Sequence, residues 1–174
     1  MKKPTVTELT GLLNKPALIS WSNKLGLNGQ TVKAYQKSVF NDGNKKHEEI
    51  ENYLIHGVYI EDDEKRNKID EIFKGVEIIS IEESFENDYY KGRCDIRFIK
   101  DGITYVGDFK RKFKRAYNEH YIQLFCYKMH FNSEKICIID LENFEIHELN
   151  LYKEELYKEL INNLINIYNI KQKL

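Results

Sequence analysis

Proline and cysteine are scarce in this chain of 174 residues. Both prolines, Pro4 and Pro16, fall in the first sixteen positions, so no later helix or central strand has to accommodate one. The three cysteines, Cys94, Cys126 and Cys137, are odd in number and widely scattered, which argues against a disulfide scaffold and for a reducing compartment. No apolar run approaches the roughly 20 residues of a membrane-spanning helix. No glycine-rich phosphate loop ending in Lys-Ser or Lys-Thr is present, so the chain carries no ATP motor of its own. An excess of one charge is missing too: 27 Lys and Arg face 28 Asp and Glu, a formal charge of −1. That excludes a uniformly basic coat for nucleic acid but leaves room for a local basic patch. Met1-Lys2-Lys3-Pro4-Thr5 runs into a polar segment without the apolar core of a signal peptide, and a soluble, cytoplasmic protein with no membrane partner is expected.

What remains is a globular composition, 41% hydrophobic and 32% charged. A chain of this length forms one core and buries roughly two-thirds of its unfolded surface. With no repeat and no Ser/Gly/Pro-rich linker, residues 1–174 read as a single domain. It comprises a helical lead-in (1–43), a core (44–150) and a C-terminal helix (151–174).

Pro16 suits the first position of a short helix through Trp21 and Leu25, which Gly26 to Gly29 end. From Asn44 to His56, the residues His47, Ile50, Glu51 and Leu54 recur at helical spacing and share a face. Residues 62–74 read as a polar helix stopped by Gly75. The period then changes to two, and Val76–Glu83, Tyr89–Lys100 and Ile103–Lys110 read as strands. A helix from about Lys114 to Phe131, a strand over Lys135–Asp140, a short strand over Phe144–Leu149 and a last amphipathic helix follow. The class is mixed α/β, a central mixed sheet flanked by helices in the order α-β-β-β-α-β-(β)-α.

Asp101-Gly102 between two strands is a strong hairpin signal. With a two-residue turn there, Lys100 pairs with Ile103 and, counting back along both strands, Asp95 faces Asp108. Opposed side chains of an antiparallel pair lie about 5 Å apart, where two like charges repel by about 3 kcal/mol at an effective dielectric of 20. Such a pair calls for a counter-charge. Lys110 projects from the same face as Asp108, and the carbonyl of Phe109 between them can turn toward a cation held by the two acids. Oxygen donors of this kind suit Mg²⁺ or Mn²⁺, and a lysine beside such an ion suits phosphodiester hydrolysis. The register alone leaves a second reading equally open, a surface ladder in which Arg93, Arg97 and Lys110 neutralise two solvated carboxylates.

Gln123 and Tyr127 share a face of the following helix and either reach toward a substrate strand or form a polar edge with a half-buried tyrosine. His47, on an apolar helix face, is by its pattern a hydrogen-bonded core histidine more readily than a ligand. The run Lys110-Arg111-Lys112-Phe113-Lys114-Arg115 puts five cations in six positions. Tyr117, His120 and Tyr121 follow it. Such a run is commonly a solvated loop, but its place directly after Lys110 favours phosphate contacts by Arg111, Lys112, Lys114 and Arg115, with Tyr117 as a stacking surface. The acidic run Glu61-Asp62-Asp63-Glu64 offsets it elsewhere.

Taken together, Gly92-Arg93-Cys94-Asp95-Ile96, Val106-Gly107-Asp108-Phe109-Lys110 and Gln123-Leu124-Phe125-Cys126-Tyr127, with His47 upstream, resemble the PD-(D/E)XK nuclease superfamily in its RecB-type exonuclease branch. The opening, from Val6-Thr7-Glu8-Leu9 through Trp21 to Lys45-Lys46-His47-Glu48, is similar to small phage-type and mitochondrial-genome-maintenance-type exonucleases. The resemblance covers about half the chain and implies a restriction-endonuclease-like core. It implies Asp95, Asp108 and His47 as metal ligands, Lys110 as the catalytic lysine, and Gln123 with Tyr127 as an accessory motif near DNA. Glu51, one turn after His47, is a candidate either to support the ligands or to serve as an additional acid. Cys94 stands where many members have proline. Relatives with an iron–sulfur cluster hold it by four cysteines, and with three in this chain no cluster is expected.

The expected activity is metal-dependent hydrolysis of DNA from single-stranded or free ends, in recombination, repair or replication processing. A recombinase, a helicase or a single-strand-binding protein are candidate partners. The alternatives are a structure-specific endonuclease on the same core and a catalytically silent module that binds DNA or a protein partner.

Overall fold

The structure is a computed structural model that describes residues 2–13 and 16–174, without the side chains of residues 16, 17, 36–44, 46 and 47. In chain order the elements are α1 (Val6–Thr10), α2 (Pro16–Leu27), α3 (Val32–His56), α4 (Asp63–Ile72), β1 (Val76–Glu86), β2 (Lys91–Lys100), β3 (Ile103–Lys110), α5 (Asn118–Phe131), β4 (Lys135–Asp140), β5 (Glu145–Leu149) and α6 (Glu154–Lys171). They form two compact units, Leu13–Val58 on the one hand and Met1–Leu12 with Tyr59–Leu174 on the other. The lead-in drawn at residues 1–43 therefore spans parts of both. Among the described residues no helix is long and apolar enough to cross a membrane.

The smaller unit is the helix pair α2 and α3. Thr31 caps α3 by accepting the Ala34 amide at 3.2 Å, and Gly57 ends it with φ +63, a left-handed C-cap for which glycine carries no Cβ penalty. Trp21 and Tyr35 meet edge to face at 5.4 Å. The helix reads back well beyond Asn44, where the apolar periodicity first becomes clear.

The larger unit is built on a five-stranded mixed sheet, ordered β1-β2-β3-β4-β5. All neighbours are antiparallel except β3 and β4, which run parallel, so α5 is the crossover between them and packs on both. Asp101 and Gly102 both take positive φ, +53° and +77°, as the tight turn between β2 and β3 requires. The pairing that follows is the one the turn dictates, from Lys100↔Ile103 to Ile96↔Gly107.

There the β2–β3 ladder stops. β2 continues paired to β1 and β3 continues paired to β4, so the sheet forks just past Ile96 and Gly107. The N-terminal segment fills part of the opening: the Lys91 amide donates to the Pro4 carbonyl at 3.0 Å, and Thr5 bridges Lys91. Thr5 then starts α1 through reciprocal bonds with Glu8, 3.0 Å from the Glu8 amide to the threonine hydroxyl and 2.7 Å from the Thr5 amide to the glutamate. Gly92 lies under this contact, where a Cβ would come within 2.9 Å of the Phe85 ring and 3.0 Å of Val6.

A second helix boundary departs from the sequence reading. The helix expected from about Lys114 begins at Asn118, leaving 111–117 as a loop. It is held from outside: the Phe113 amide donates to Asp140 at 3.1 Å, and the Lys112 side chain pairs with that of Glu142.

Candidate active site

The fork brings the two acids together. Asp95 and Asp108 are the first residues past the last ladder pair, opposite one another and on the sheet face that α5 covers. Freed from the ladder, the Phe109 amide donates to Asp95 Oδ2 at 2.8 Å. Asp108 is 2% exposed: its Oδ1 accepts from Gln123 Nε2 at 2.6 Å, while its buried Oδ2 lies 2.5 Å from Lys110 Nζ in an ion pair and accepts no hydrogen bond among the described residues. Gln123 uses the same nitrogen to reach the Tyr127 hydroxyl at 3.0 Å, so one helical turn of α5 orients the buried carboxylate. Tyr127 is buried rather than half-buried, and its burial raises the phenol's pKa so that it stays protonated.

Burial, and then the charge of Asp108, push the Asp95 carboxyl well above the ordinary carboxylate range. The Phe109 amide and the Lys110 ammonium only partly oppose them. Two opposed acids with one ammonium, paired to Asp108, lack a full complement of positive charge. Hard carboxylate oxygens in that state fit a divalent cation that keeps waters in its remaining positions. Among the described residues, no three side chains of His, Cys, Asp or Glu gather as a ready set of metal ligands, so the fit rests on Asp95 and Asp108.

A groove of about 710 Å³ opens beside Asp95. Its walls are the start of α1 (Thr5 to Thr7), the end of β1 (Ser84 to Glu86), the free edge of β2 (Lys91 to Arg93), and Gln123 with Tyr127 from α5. The cations in it are Lys91 and Arg93; none of Arg111, Lys112, Lys114 and Arg115 lines it. Those four are exposed on the loop after β3, where Arg115 lies over the Tyr117 ring at 4.7 Å. Phe109 meets the site through its amide, its side chain being buried. His47 lies on α3, its side chain outside the described residues, and Glu51 follows on the same helix in the smaller unit.

Several participants escaped the sequence reading. Glu82 on β1 takes φ +53 and meets Arg93 Nε at 2.5 Å. Asp140, 0% exposed, accepts the amides of Phe113, Glu142 and Asn143 and so ties the basic loop to the end of β4. The Thr5-x-x-Glu8 pattern was a legible signal for α1 and for one wall of the groove.

No protein-family model matches the chain, and no curated protein matches it. Among solved structures it is similar to the crystal structure of SSO0001, with 19% identity, 71% of this chain and 69% of that one covered, and a TM-score of 0.33. A likeness that distant bears on neither fold family nor activity.

Proposed function

We propose that this chain is a metal-dependent deoxyribonuclease of the PD-(D/E)XK type, acting on single-stranded DNA or free DNA ends. The observation that carries the reading is the convergence of Asp95, Asp108 and Lys110 at the fork, next to an open groove. Asp95 and Asp108 would hold Mg²⁺ or Mn²⁺. Such an ion supplies Lewis-acid stabilisation of charge on the phosphate and a bound water of lowered pKa. The chain's own side chains do the rest. Lys110, 32% exposed, turns its ammonium toward the same space and offsets negative charge that grows on the phosphate oxygens. Gln123 fixes the rotamer of Asp108, and the Phe109 amide fixes that of Asp95. The groove gives a strand a way to Asp95.

The test is hydrolysis of end-labelled and of circular single-stranded DNA with Mn²⁺ or Mg²⁺. Mononucleotide release from linear DNA, its arrest by EDTA and its loss in Asp108→Ala and Lys110→Ala are expected. Cutting of the circle would instead make the enzyme an endonuclease. Full activity in either variant overturns the assignment, and metal-independent, salt-sensitive binding without cleavage would make the chain a binding module.

A further inference from the structure

We propose that Arg93 grips a backbone phosphate of the strand lying in the groove, and that Glu82 is the positioning residue that aims it; this rests on the nuclease reading above. Arg93 lines the groove, and its side chain is 66% exposed. Its Nε lies 2.5 Å from Glu82 Oε2 in an ion pair, while no partner for its two terminal amino groups is found among the described residues. A guanidinium drawn to a carboxylate on its Nε side keeps its two terminal amino groups as paired donors that match two phosphate oxygens.

The anchor is built into the strand. A bulge between Ile78 and Ser80 shifts β1 by one residue, so that Ile81 pairs with Ile96 and Glu83 with Cys94, and Glu82 between them stands across from Asp95. Without that shift Glu82 would point to the opposite face. It also takes φ +53, an uncommon conformation for a residue with a side chain. Its carboxylate, 15% exposed, forms an ion pair with Arg93. Glu82 thereby positions the arginine. Arg93 and Asp95 are two residues apart on one face of β2, about 7 Å along the strand, the span of one nucleotide in an extended chain. A phosphate on Arg93 would place its neighbour at Asp95.

The experiment is fluorescence-anisotropy titration of the full chain with a labelled single-stranded oligonucleotide in Ca²⁺, across a range of KCl concentrations. Arg93→Ala is expected to weaken binding roughly tenfold and to flatten the plot of log K against log salt by about 0.7, one phosphate contact fewer. Arg93→Lys should keep the slope and recover part of the affinity. Glu82→Ala should cost less affinity in Arg93→Ala than in the wild-type background, where it also releases the arginine. A wild-type chain that cleaves DNA beside an Arg93→Ala variant of unchanged slope overturns this proposal alone. Equal losses from Glu82→Ala in both backgrounds overturn the anchoring role. A wild-type chain that neither binds nor cleaves overturns the nuclease reading with it.

Discussion

Gln123 donates from Nε2 to Asp108 Oδ1 across 2.6 Å, which ties α5 to the β3 carboxylate that a metal would need. Gln123→Leu removes the donor and leaves a buried carboxylate oxygen unsatisfied, at about 1–3 kcal/mol. Urea unfolding should show that loss. Metal-dependent cleavage should fall about 10- to 100-fold, the usual scale for a group that orients a ligand. A variant with native stability and native rate would mean that Asp108 needs no orientation.

Asp95→Asn should stabilise the protein while abolishing cleavage. Burial and the neighbouring Asp108 raise the folded-state pKa of Asp95 above its unfolded value. The native state therefore binds this proton more tightly, and the favourable contribution, complete below the unfolded pKa of about 3.9, is lost as pH rises through the raised value. Near neutrality the wild type bears the cost of that raised pKa, and the variant does not. A gain of about 1 kcal/mol appears as a Tm roughly 2–4 °C higher. Melting in EDTA from pH 3 to 8 checks it: the gap should close below about pH 4, and a gap independent of pH would reject the electrostatic cause.

The hairpin that makes this pair was legible because two adjacent left-handed residues are rare and Asp101-Gly102 supplies them cheaply. One turn type then sets every pairing from Lys100↔Ile103 to Ile96↔Gly107. The fork was not legible, since alternation along Lys91–Lys100 looks the same whether β3 stays paired or leaves. Nor was Glu82 opposite Asp95: a bulge shifts the register by one, and nothing in Ile78-Ile79-Ser80 announces it. Loop residues 114–117 read as the start of α5 because local propensity favours helix there. A buried carboxylate 27 residues away, Asp140, takes the Phe113 amide instead.

Gly107→Ala tests how tightly the end of the ladder is packed. A Cβ there would come within 2.9 Å of Ile96 Cγ2 and 3.1 Å of Cys137 Sγ, both in the buried layer beneath the acids. Overpacking of this kind costs about 1–3 kcal/mol. The urea midpoint should drop accordingly, and Asp108, the next residue, should shift enough to lower cleavage. An unchanged midpoint would show that β3 moves freely away from β2 at this point.

Asp140→Ala should loosen the basic loop from the sheet. Burial by itself would raise the Asp140 carboxyl, but the amides of Glu142, Phe113 and Asn143 and the Asn143 side chain outweigh it and hold the group below its ordinary range. A depressed folded-state pKa contributes stability that is present above the unfolded pKa of about 3.9 and lost as pH falls through the lower folded value. The variant should therefore be less stable than the wild type near neutrality, by about 2–3 kcal/mol for hydrogen bonds to a charged group. The two should converge on acidification below pH 4. Because the Phe113 amide is one of the partners, the loss should also free the segment carrying Arg111, Lys112, Lys114 and Arg115, which hydrogen exchange at those amides would report. Faster exchange confined to the 141–143 turn, with 111–115 unaffected, would show that Lys112 and Glu142 are anchor enough.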